Sequence, residues 1–422
     1  MQYMYKGGIG LLSLLLVFGA MVQPLNAQSL EERVRQLETK MEDDELPADK
    51  YVSEFGGRIM ADWTFNTSQS DNYNDQLGAD AEDGFEFRRL RLYAEGEVAE
   101  DISYKTQLDF AGNDVSIKSV YLNFDDVGPL PYVKVGNFKE PFSIEEQTSS
   151  KYITFMSRTA LTDALSQARQ PGIQTGYHSA DEKLNFTVGA FNPQNDTQAS
   201  TNGGWDLSGR LTSPVLYQNG GEQLVHLGAA YSLRGEADES VDIDLEPEVH
   251  KGDPEMLEVS IPNVENSTVT GLELATVFGP TSFQAEWANQ SVDQKSGSSV
   301  DLDSYYAMAS YILTGERRPY DPAAGDFGRI DVQNPYRDGG MGALEVAARF
   351  SSTDFTDAKG VSTFTSNPAG ADEMAGQMDV LTLGTNWYPS AHSKLMLNYV
   401  DATQDDANVD GQWVTTRFQV DF

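Results

Sequence analysis

From Glu54 to the end of the chain, apolar and polar residues alternate in short segments. A period of two in segments of about ten residues is the pattern of a β-strand with one apolar and one polar face, and clusters of Gly, Asn, Asp, Ser and Pro mark the turns. Sixteen segments can be counted: 54–66, 85–98, 101–110, 116–124, 131–138, 172–178, 183–191, 204–212, 223–234, 269–278, 281–290, 302–313, 341–350, 379–388, 393–401 and 412–422. An even number predicts a closed antiparallel barrel without free edges.

The alternation assigns a lipid face and a water face to each segment. In the last segment Val414, Phe418 and Phe422 share one face, and Arg417 and Asp421 share the other. A soluble sandwich shows the same alternation with the charged face outside, so alternation alone leaves both topologies open.

Three other features favour a transmembrane barrel. Short connections (99–100, 125–130, 179–182, 279–280 and 389–392) alternate with long ones (67–84, 139–171, 235–268 and 351–378), as they do on the two rims of outer-membrane barrels. Only 314–340 is long where a short turn is expected. The chain ends on Phe422 in an alternating strand, which resembles the signal read by barrel-assembly machinery. Tyr132, Trp387 and Tyr388 lie near strand ends, where aromatic girdles are expected.

The first 27 residues read as a secretory signal peptide. Lys6 precedes an apolar run from Ile9 to Val22, and a small residue, Ala27, stands at the expected cleavage point. This run is shorter than the roughly 20 apolar residues that a membrane-spanning helix needs. No later run reaches that length, so a mature protein in a membrane must cross it with strands.

Residues 28–50 predict a short periplasmic helix with a heptad repeat. Leu30, Val34, Leu37 and Met41 are spaced four, three and four residues apart. Two heptads are too short to be stable alone, so we expect the helices to associate within an oligomer, with a frayed segment as the alternative.

Composition excludes several classes of function. The 65 Asp and Glu residues outnumber the 29 Lys and Arg residues, giving a net charge of −36, which excludes a general nucleic-acid binder. Cysteine is absent, so no disulfide or thiolate site can form. The four histidines lie in no catalytic or metal-binding motif, and the sequence predicts no enzyme, cofactor or metal. A barrel enzyme that uses His226, or a surface structural protein, stays open as a lower alternative.

The water face of the predicted wall carries both signs of charge. We place these bases on it, as candidates for an anion path: Arg58, Arg89, Arg91, Lys105, Lys134, Arg210, Arg349 and Arg417. We place these acids on it: Asp62, Glu95, Glu97, Asp109, Asp206, Glu273, Glu286, Glu345 and Asp421. Eight bases against nine acids predict anion selectivity that is weak at most.

Arg89 and Arg91 are two residues apart on one strand face, about 7 Å along the strand, which is a plausible step for passing an anion between two guanidinium groups. The alternative is that they pair with carboxylates such as Glu95, Glu97 or Asp109 and stiffen the wall.

Two long connections are predicted to have distinct roles. We expect 139–171 to enter the barrel as a constriction loop with bases Lys139, Lys151, Arg158 and Arg169 and acids Glu140, Glu145, Glu146 and Asp163, which leave the sign of its charge open. An external lid against neighbouring subunits is the alternative. Residues 236–258 hold ten acids and one Lys and predict a solvated external loop.

Several stretches resemble the phosphate-selective porins of the O and P type. They are Phe87-Arg88-Arg89-Leu90-Arg91-Leu92, Val133 to Ser143, Ser149 to Met156, Leu313 to Glu316, Gly384 to Tyr388 and Phe418 to Phe422. The resemblance implies a homotrimeric sixteen-stranded channel in the outer membrane of a Gram-negative bacterium. It also implies a folded-in third loop and an arginine-lysine path for small anions such as phosphate or polyphosphate. We expect outer-membrane lipids and lipopolysaccharide as partners of such a channel. A general or cation-leaning diffusion porin is the alternative that the balanced wall leaves open.

Overall fold

The computed structural model describes residues 53–112, 114–192, 204–235, 239–250, 255–364, 370 and 374–422. The predicted signal peptide and heptad helix lie outside the described residues. The strands are β1 (Ser53–Gln69), β2 (Gly84–Ala99), β3 (Ile102–Asp109), β4 (Ser116–Val127), β5 (Leu130–Phe138), β6 (Gln170–His178), β7 (Asn185–Phe191), β8 (Asp206–Gln218), β9 (Gln223–Arg234), β10 (Ser240–Leu245), β11 (Leu257–Pro262), β12 (Val264–Phe278), β13 (Thr281–Gln294), β14 (Ser299–Ile312), β15 (Tyr320–Asp321), β16 (Asp326–Phe327), β17 (Ala343–Asp354), β18 (Gln377–Ser390), β19 (Ser393–Gln404) and β20 (Val409–Asp421).

The helices of the described residues are short. They are α1 (Tyr73–Leu77), α2 (Ile144–Gln147) and α3 (Ala160–Leu165), with single 3₁₀ turns at Asn219–Gly221, Tyr336–Asp338 and Thr356–Ala358. In this part of the chain no helix is both long and apolar enough to cross a membrane.

Sixteen of the described strands close into one antiparallel barrel. The order is β1 to β9, β12 to β14 and β17 to β20, and β20 returns to pair with β1, so that Arg58 lies opposite Asp421. Every strand edge of the barrel is therefore paired, which is what the even strand count requires. The predicted sixteen-stranded barrel is confirmed, and each of the sixteen sequence segments overlaps one barrel strand.

The faces of the wall follow the predicted alternation. In β20, Thr415, Arg417 and Gln419 are buried, whereas Phe418 and Val420 are about half exposed. Exposed apolar side chains of this kind recur around the outside of the barrel, which suits contact with lipid.

Strand β2 contains one β-bulge, which interrupts the strict alternation of its side chains. The pairing with β1 skips a residue between Met60 and Ala61, because Met60 lies opposite Arg89 and Ala61 lies opposite Phe87. Arg88 is the extra residue of this bulge, so the alternation of inward and outward side chains shifts by one position there. Phe85 and Phe87 consequently face outward, although they share odd numbering with the buried Arg89.

Connections at the two ends of the barrel differ in length. The end that we call the turn rim carries 100–101, 128–129, 179–184, 219–222, 279–280, 391–392 and the long segment 313–342. The opposite end, the loop rim, carries longer connections such as 139–169 and 235–263. This is the predicted arrangement, including the exception on the turn rim.

The structure corrects the prediction that 236–258 is a solvated external loop. The described part of this segment contains β10, which pairs with β11 to form a hairpin. The side chains of Val241, Ile243, Leu257 and Val259 in this hairpin are buried. These side chains form a core with α3 and the inward residues of strands across the barrel. The prediction was wrong because it counted acids and overlooked the apolar alternation within the hairpin.

The long turn-rim segment 313–342 also folds into the lumen, which accounts for its length. Asn185 donates a side-chain hydrogen bond to the Ala323 carbonyl at 2.6 Å, and Arg210 donates to the Gly325 carbonyl at 2.8 Å. Phe327 is buried in a small cluster with Ile144 of the 139–169 connection. The lumen therefore holds inserted segments from both rims.

Two of the three residues predicted for the aromatic girdle face inward instead. The Tyr388 hydroxyl donates to Glu345 at 2.7 Å, and the Tyr132 hydroxyl accepts from Gln174 at 3.1 Å. Parity explains the error, since both residues occupy the water-facing positions of their strands.

Candidate functional site

The inserted segments leave an open cavity beside strands β1 to β6. Its volume is about 510 Å³, and the constriction loop 139–169 and the β15–β16 segment complete its wall. The charged residues that line it are Arg58, Arg91, Lys105, Lys134, Lys139, Arg158, Arg169, Asp321 and Asp326. We call it the basic cavity, because seven bases face two acids.

Two bases close the constriction loop on itself. Lys139 donates to the Gln147 carbonyl at 3.1 Å, and Arg158 donates to the Thr148 carbonyl at 3.1 Å. Both also lie near Glu146, at 3.6 and 3.0 Å. Burial opposes ionisation of Glu146, but Arg158 and Lys139 outweigh it and hold its pKa below the usual value.

The opposite side of the loop is attached to the wall of the barrel. The backbone N–H groups of Ile144 and Glu145 donate to the carboxylate of Glu286 at 3.1 and 3.0 Å. The ring of Phe142 lies over Gly271, where an added Cβ would be 2.7 Å from the ring. A glycine at this inward position of β12 therefore lets the loop approach the wall closely.

Four of the seven bases in the basic cavity are in ion pairs with carboxylates. Arg91 pairs with Asp109 at 2.6 Å, Lys105 pairs with Glu95, and Lys139 and Arg158 share Glu146. The two one-to-one pairs largely cancel their own charge at the distance of a passing ion, whereas Lys139 and Arg158 share one carboxylate and keep one net positive charge.

The other three bases are held by neutral groups. Arg58 donates to the Ser150 hydroxyl at 2.7 Å, and Arg169 donates to the Ser119 hydroxyl at 3.0 Å. The ammonium group of Lys134 lies 5.0 Å from the ring centre of Tyr121 and 5.5 Å from that of Phe138. Within the described residues none of these three bases has a carboxylate at ion-pair distance. Hydroxyls and ring faces fix a cation without cancelling its charge.

Arg169 remains a cation in these surroundings. Its pKa is lowered to about 10, mainly by burial, with Glu146 opposing the shift and the nearby Arg91 and Arg158 adding to it. The guanidinium group is still protonated at neutral pH. The lining therefore carries excess positive charge at the position of this residue.

The remaining predicted bases lie away from the basic cavity. Arg210, Arg349 and Arg417 are buried under the inserted segments and pair with Glu273, Glu248 and Asp62 at distances of 2.5 to 2.8 Å. Lys151 faces a second, smaller cavity.

Arg89 and Arg91 do not share one space. Arg91 lines the basic cavity, whereas Arg89 is buried against Met60, with 3.8 Å between Nη1 and Sδ. The structure therefore does not place the two guanidinium groups as successive contacts along one open path.

Sequence reasoning missed the two acids of the basic cavity. Asp321 and Asp326 belong to the β15–β16 segment, and the unexpected length of this turn-rim connection was the only signal in the sequence. Burial raises the pKa of Asp326 to about 6, although Lys139 and Arg210 oppose the shift. Asp326 thus titrates close to neutral pH.

A closed sixteen-stranded barrel with an apolar outside, a water-accessible interior and a loop folded into its lumen defines a porin of the bacterial outer membrane. The model of the protein family described as "Phosphate-selective porin O and P" matches residues 54–422. The chain belongs to this family, and it is an outer-membrane channel for anions.

Individual relatives agree with this assignment. The chain is 24% identical to Porin O of Pseudomonas aeruginosa over 405 residues, which cover 88% of this chain and 89% of that protein. It is 28% identical over 329 residues to an uncharacterized protein of Caulobacter vibrioides. This match covers 75% of this chain but spans only 62% of the length of that relative.

Solved structures show the same fold at low sequence identity. An anion-selective porin from Comamonas acidovorans is similar with a TM-score of 0.53 at 13% identity, covering 88% of this chain and all (100%) of that chain. A trimer form of OmpT of Vibrio cholerae is similar with a TM-score of 0.51 at 11% identity, covering 88% and 100% of the two chains.

Proposed function

We propose that small oxyanions, of which phosphate is the representative, cross the barrel through the basic cavity and make their contacts there with Arg58, Lys134 and Arg169. The observation that carries the proposal is the way these three bases are held. Hydroxyls and aromatic rings position them, and no carboxylate in the described residues lies at ion-pair distance. An entering anion can therefore replace part of its hydration shell with donors that are not already neutralised.

The paired bases of the cavity have a different part in this scheme. Arg91 and Lys105 shape the wall, and their partners Asp109 and Glu95 cancel most of their charge. Asp326 adds negative charge to the lining, which weakens the hold on an anion. Conduction needs contacts that attract an anion and yet release it, so a lining of mixed charge suits passage better than a purely basic one.

The test is the triple variant Arg58→Gln, Lys134→Gln and Arg169→Gln in planar bilayers. We expect the reversal potential in a salt gradient to shift towards cation selectivity, and block of chloride current by phosphate to weaken by at least tenfold, which corresponds to about 1.4 kcal/mol. Glutamine retains hydrogen-bonding capacity, so the change isolates the charge.

The control removes three charges elsewhere: Lys183→Gln, Lys295→Gln and Arg337→Gln, all at exposed side chains. Ion selectivity should stay as in the wild type, because salt screens charges that are exposed to solvent and do not line the cavity. If the control and the triple variant shift the reversal potential equally, the path does not depend on the three bases, and a general diffusion porin becomes the better description.

The assembly that we propose is a homotrimer whose 28–50 helices associate in the periplasm. The Leu30, Val34, Leu37 and Met41 stripe supports it, since an unpaired helix would expose this apolar surface. Deletion of 29–45 should leave a conducting channel and lower the temperature at which the trimer dissociates on a native gel. An unchanged dissociation temperature contradicts this role. The proposal includes no catalytic step.

The partners of this assembly are those expected in the outer membrane. We propose that lipid and lipopolysaccharide surround its apolar belt. We also propose that barrel-assembly machinery reads the C-terminal Phe422, whose side chain is exposed on the outside. Replacement of Phe422 by Ser should slow insertion of the barrel in cells without changing the conductance of channels that do insert.

A further inference from the structure

A second cavity lies beside the basic cavity, and the channel function does not account for it. Its volume is only about 20 Å³, and its polar lining includes Lys151, Tyr152, Arg329, Tyr388, Lys394 and Asp421. Tyr152 and Gly328 line both cavities, so the two are neighbours. The small cavity is bounded by the constriction loop, the turn-rim segment 313–342 and the wall strands.

Lys394 is the unusual residue of this cavity. Its side chain is 2% exposed, and its ammonium group donates to the Ile153 carbonyl at 2.7 Å and lies 5.0 Å from the ring centre of Tyr388. An ammonium group has three donors, so one carbonyl leaves two of them without a strong acceptor. A buried cation in this state is unfavourable, and an accompanying anion favours its charged form.

The carboxylates of the neighbourhood do not supply that anion. Asp421 is already shared by Arg329 and Lys151, the latter at 3.8 Å. Glu345 accepts hydrogen bonds from Tyr388 and Asn386 and lies beyond ion-pair distance from Lys394. Within the described residues, two of the three cations of the cavity thus share one close carboxylate, and the third, Lys394, has none.

We propose that the small cavity is a binding site for one monatomic anion, such as chloride, held between Lys394, Lys151 and Arg329. Size selects the class of ligand. A cavity needs about 10 to 15 Å³ to hold one water molecule, so about 20 Å³ suits a halide of similar size better than the larger phosphate or carboxylate groups. The site is therefore distinct from the path of the transported oxyanions.

The three cations come from three different parts of the fold. Lys151 belongs to the constriction loop, Arg329 to the turn-rim segment and Lys394 to β19. An anion between them joins the loop and the turn-rim segment to the wall. Halide binding would therefore fix the part of the constriction loop around Lys151, and it would stabilise the folded barrel by mass action.

The experiment uses the full wild-type chain crystallised in sodium bromide, where the anomalous signal of bromide locates bound anions. We expect one peak in the small cavity within about 3.5 Å of the Lys394 ammonium group, the range of a charged hydrogen bond to a large anion. In parallel, thermal unfolding is followed in sodium bromide and in sodium gluconate at equal ionic strength. The unfolding temperature should rise with bromide concentration and not with gluconate, because gluconate is too large for the cavity.

The variant Lys394→Met removes the central cation and replaces it with an apolar side chain of similar length. We expect it to lose the bromide peak and the difference between bromide and gluconate, whereas the control Lys183→Gln keeps both. Should Lys394→Met fail to fold, Arg329→Gln tests the same site, since it retains Lys394 and removes a second contact.

Two outcomes overturn the proposal. One is the absence of a peak in wild-type crystals together with equal responses to bromide and gluconate. The other is an adventitious ion only, seen as a peak that persists in Lys394→Met or that leaves the unfolding temperature unchanged. Neither outcome touches the proposed anion path, because selectivity in the Arg58, Lys134 and Arg169 variant is measured independently of this site.

Discussion

Strands β1 to β6 border an open, water-accessible cavity, whereas β8, β9, β12 to β14 and β17 to β20 are covered from inside by inserted segments. Both parts of the wall carry inward arginines. In the covered part Arg210, Arg349 and Arg417 each pair with a buried carboxylate. In the open part Arg58 of the wall, and Arg169 of the constriction loop beside it, are held by serine hydroxyls. A tally of inward charges over the whole barrel therefore does not predict the charge along the open path.

The largest expected effect contrasts one arginine from each part. Arg349→Met leaves the buried carboxylates of Glu145 and Glu248 without their cation. We expect a loss of about 3 to 5 kcal/mol in the free energy of unfolding. Arg58→Met removes hydrogen bonds to hydroxyls that water can replace and should lose about 0.5 to 1.5 kcal/mol. Denaturant titration of barrels refolded in vesicles compares the two, and equal losses would remove the distinction between the parts.

The next effect concerns how the covered part positions the constriction loop. Gly271→Val adds atoms where the Phe142 ring lies 2.7 Å from an ideal Cβ, so the loop must move away from β12 and towards the cavity. Overpacking of this kind costs about 1 to 3 kcal/mol, and the single-channel conductance should fall. The matched control is Gly209→Val, which has no atom closer than 3.7 Å to its Cβ. A normal conductance in Gly271→Val would show that the loop does not depend on this contact.

A smaller effect separates the two neighbouring arginines of β2. Arg91→Ala removes a cation from the cavity lining and leaves the carboxylate of Asp109 without its partner, so the reversal potential should shift towards cations. Arg89→Ala changes a side chain that lies against Met60, outside the lining, and should leave selectivity nearly unchanged. Equal shifts in the two variants would mean that the open path extends to Arg89.

The smallest effect is a dependence on pH. The pKa of Asp326 is raised to about 6 by burial, so its carboxylate gains a proton as the pH falls through that value. The lining then becomes more positive by one charge, and anion selectivity should increase. Asp326→Asn should show the higher selectivity at both pH values and lose this step in reversal potential. A wild-type channel with the same selectivity at pH 5 and pH 7.5 would contradict the assignment.

The barrel could be predicted from the sequence because strands and turns are specified by residues close together in the chain. Alternation of apolar and polar residues indicates each strand, and glycine, asparagine or proline indicates each turn. The number of strands and the faces of β20 could therefore be predicted. The bulge at Arg88 could not, since a single extra residue does not alter the composition of its segment. The same alternation places Tyr132 and Tyr388 on the inward face, although their positions near strand ends had suggested an aromatic girdle.

The sequence by itself determined the antiparallel barrel, the identity of the bases on its water face and the position of a constriction loop. Only the tertiary structure decided which of those bases remain available to an anion. Pairing depends on contacts between segments far apart in the chain, such as Arg349 with Glu248 or Arg58 with Ser150. Because two opposite charges cancel only when they meet, the same residues can form a neutral wall or a basic path, and the fold of the inserted segments selects between them.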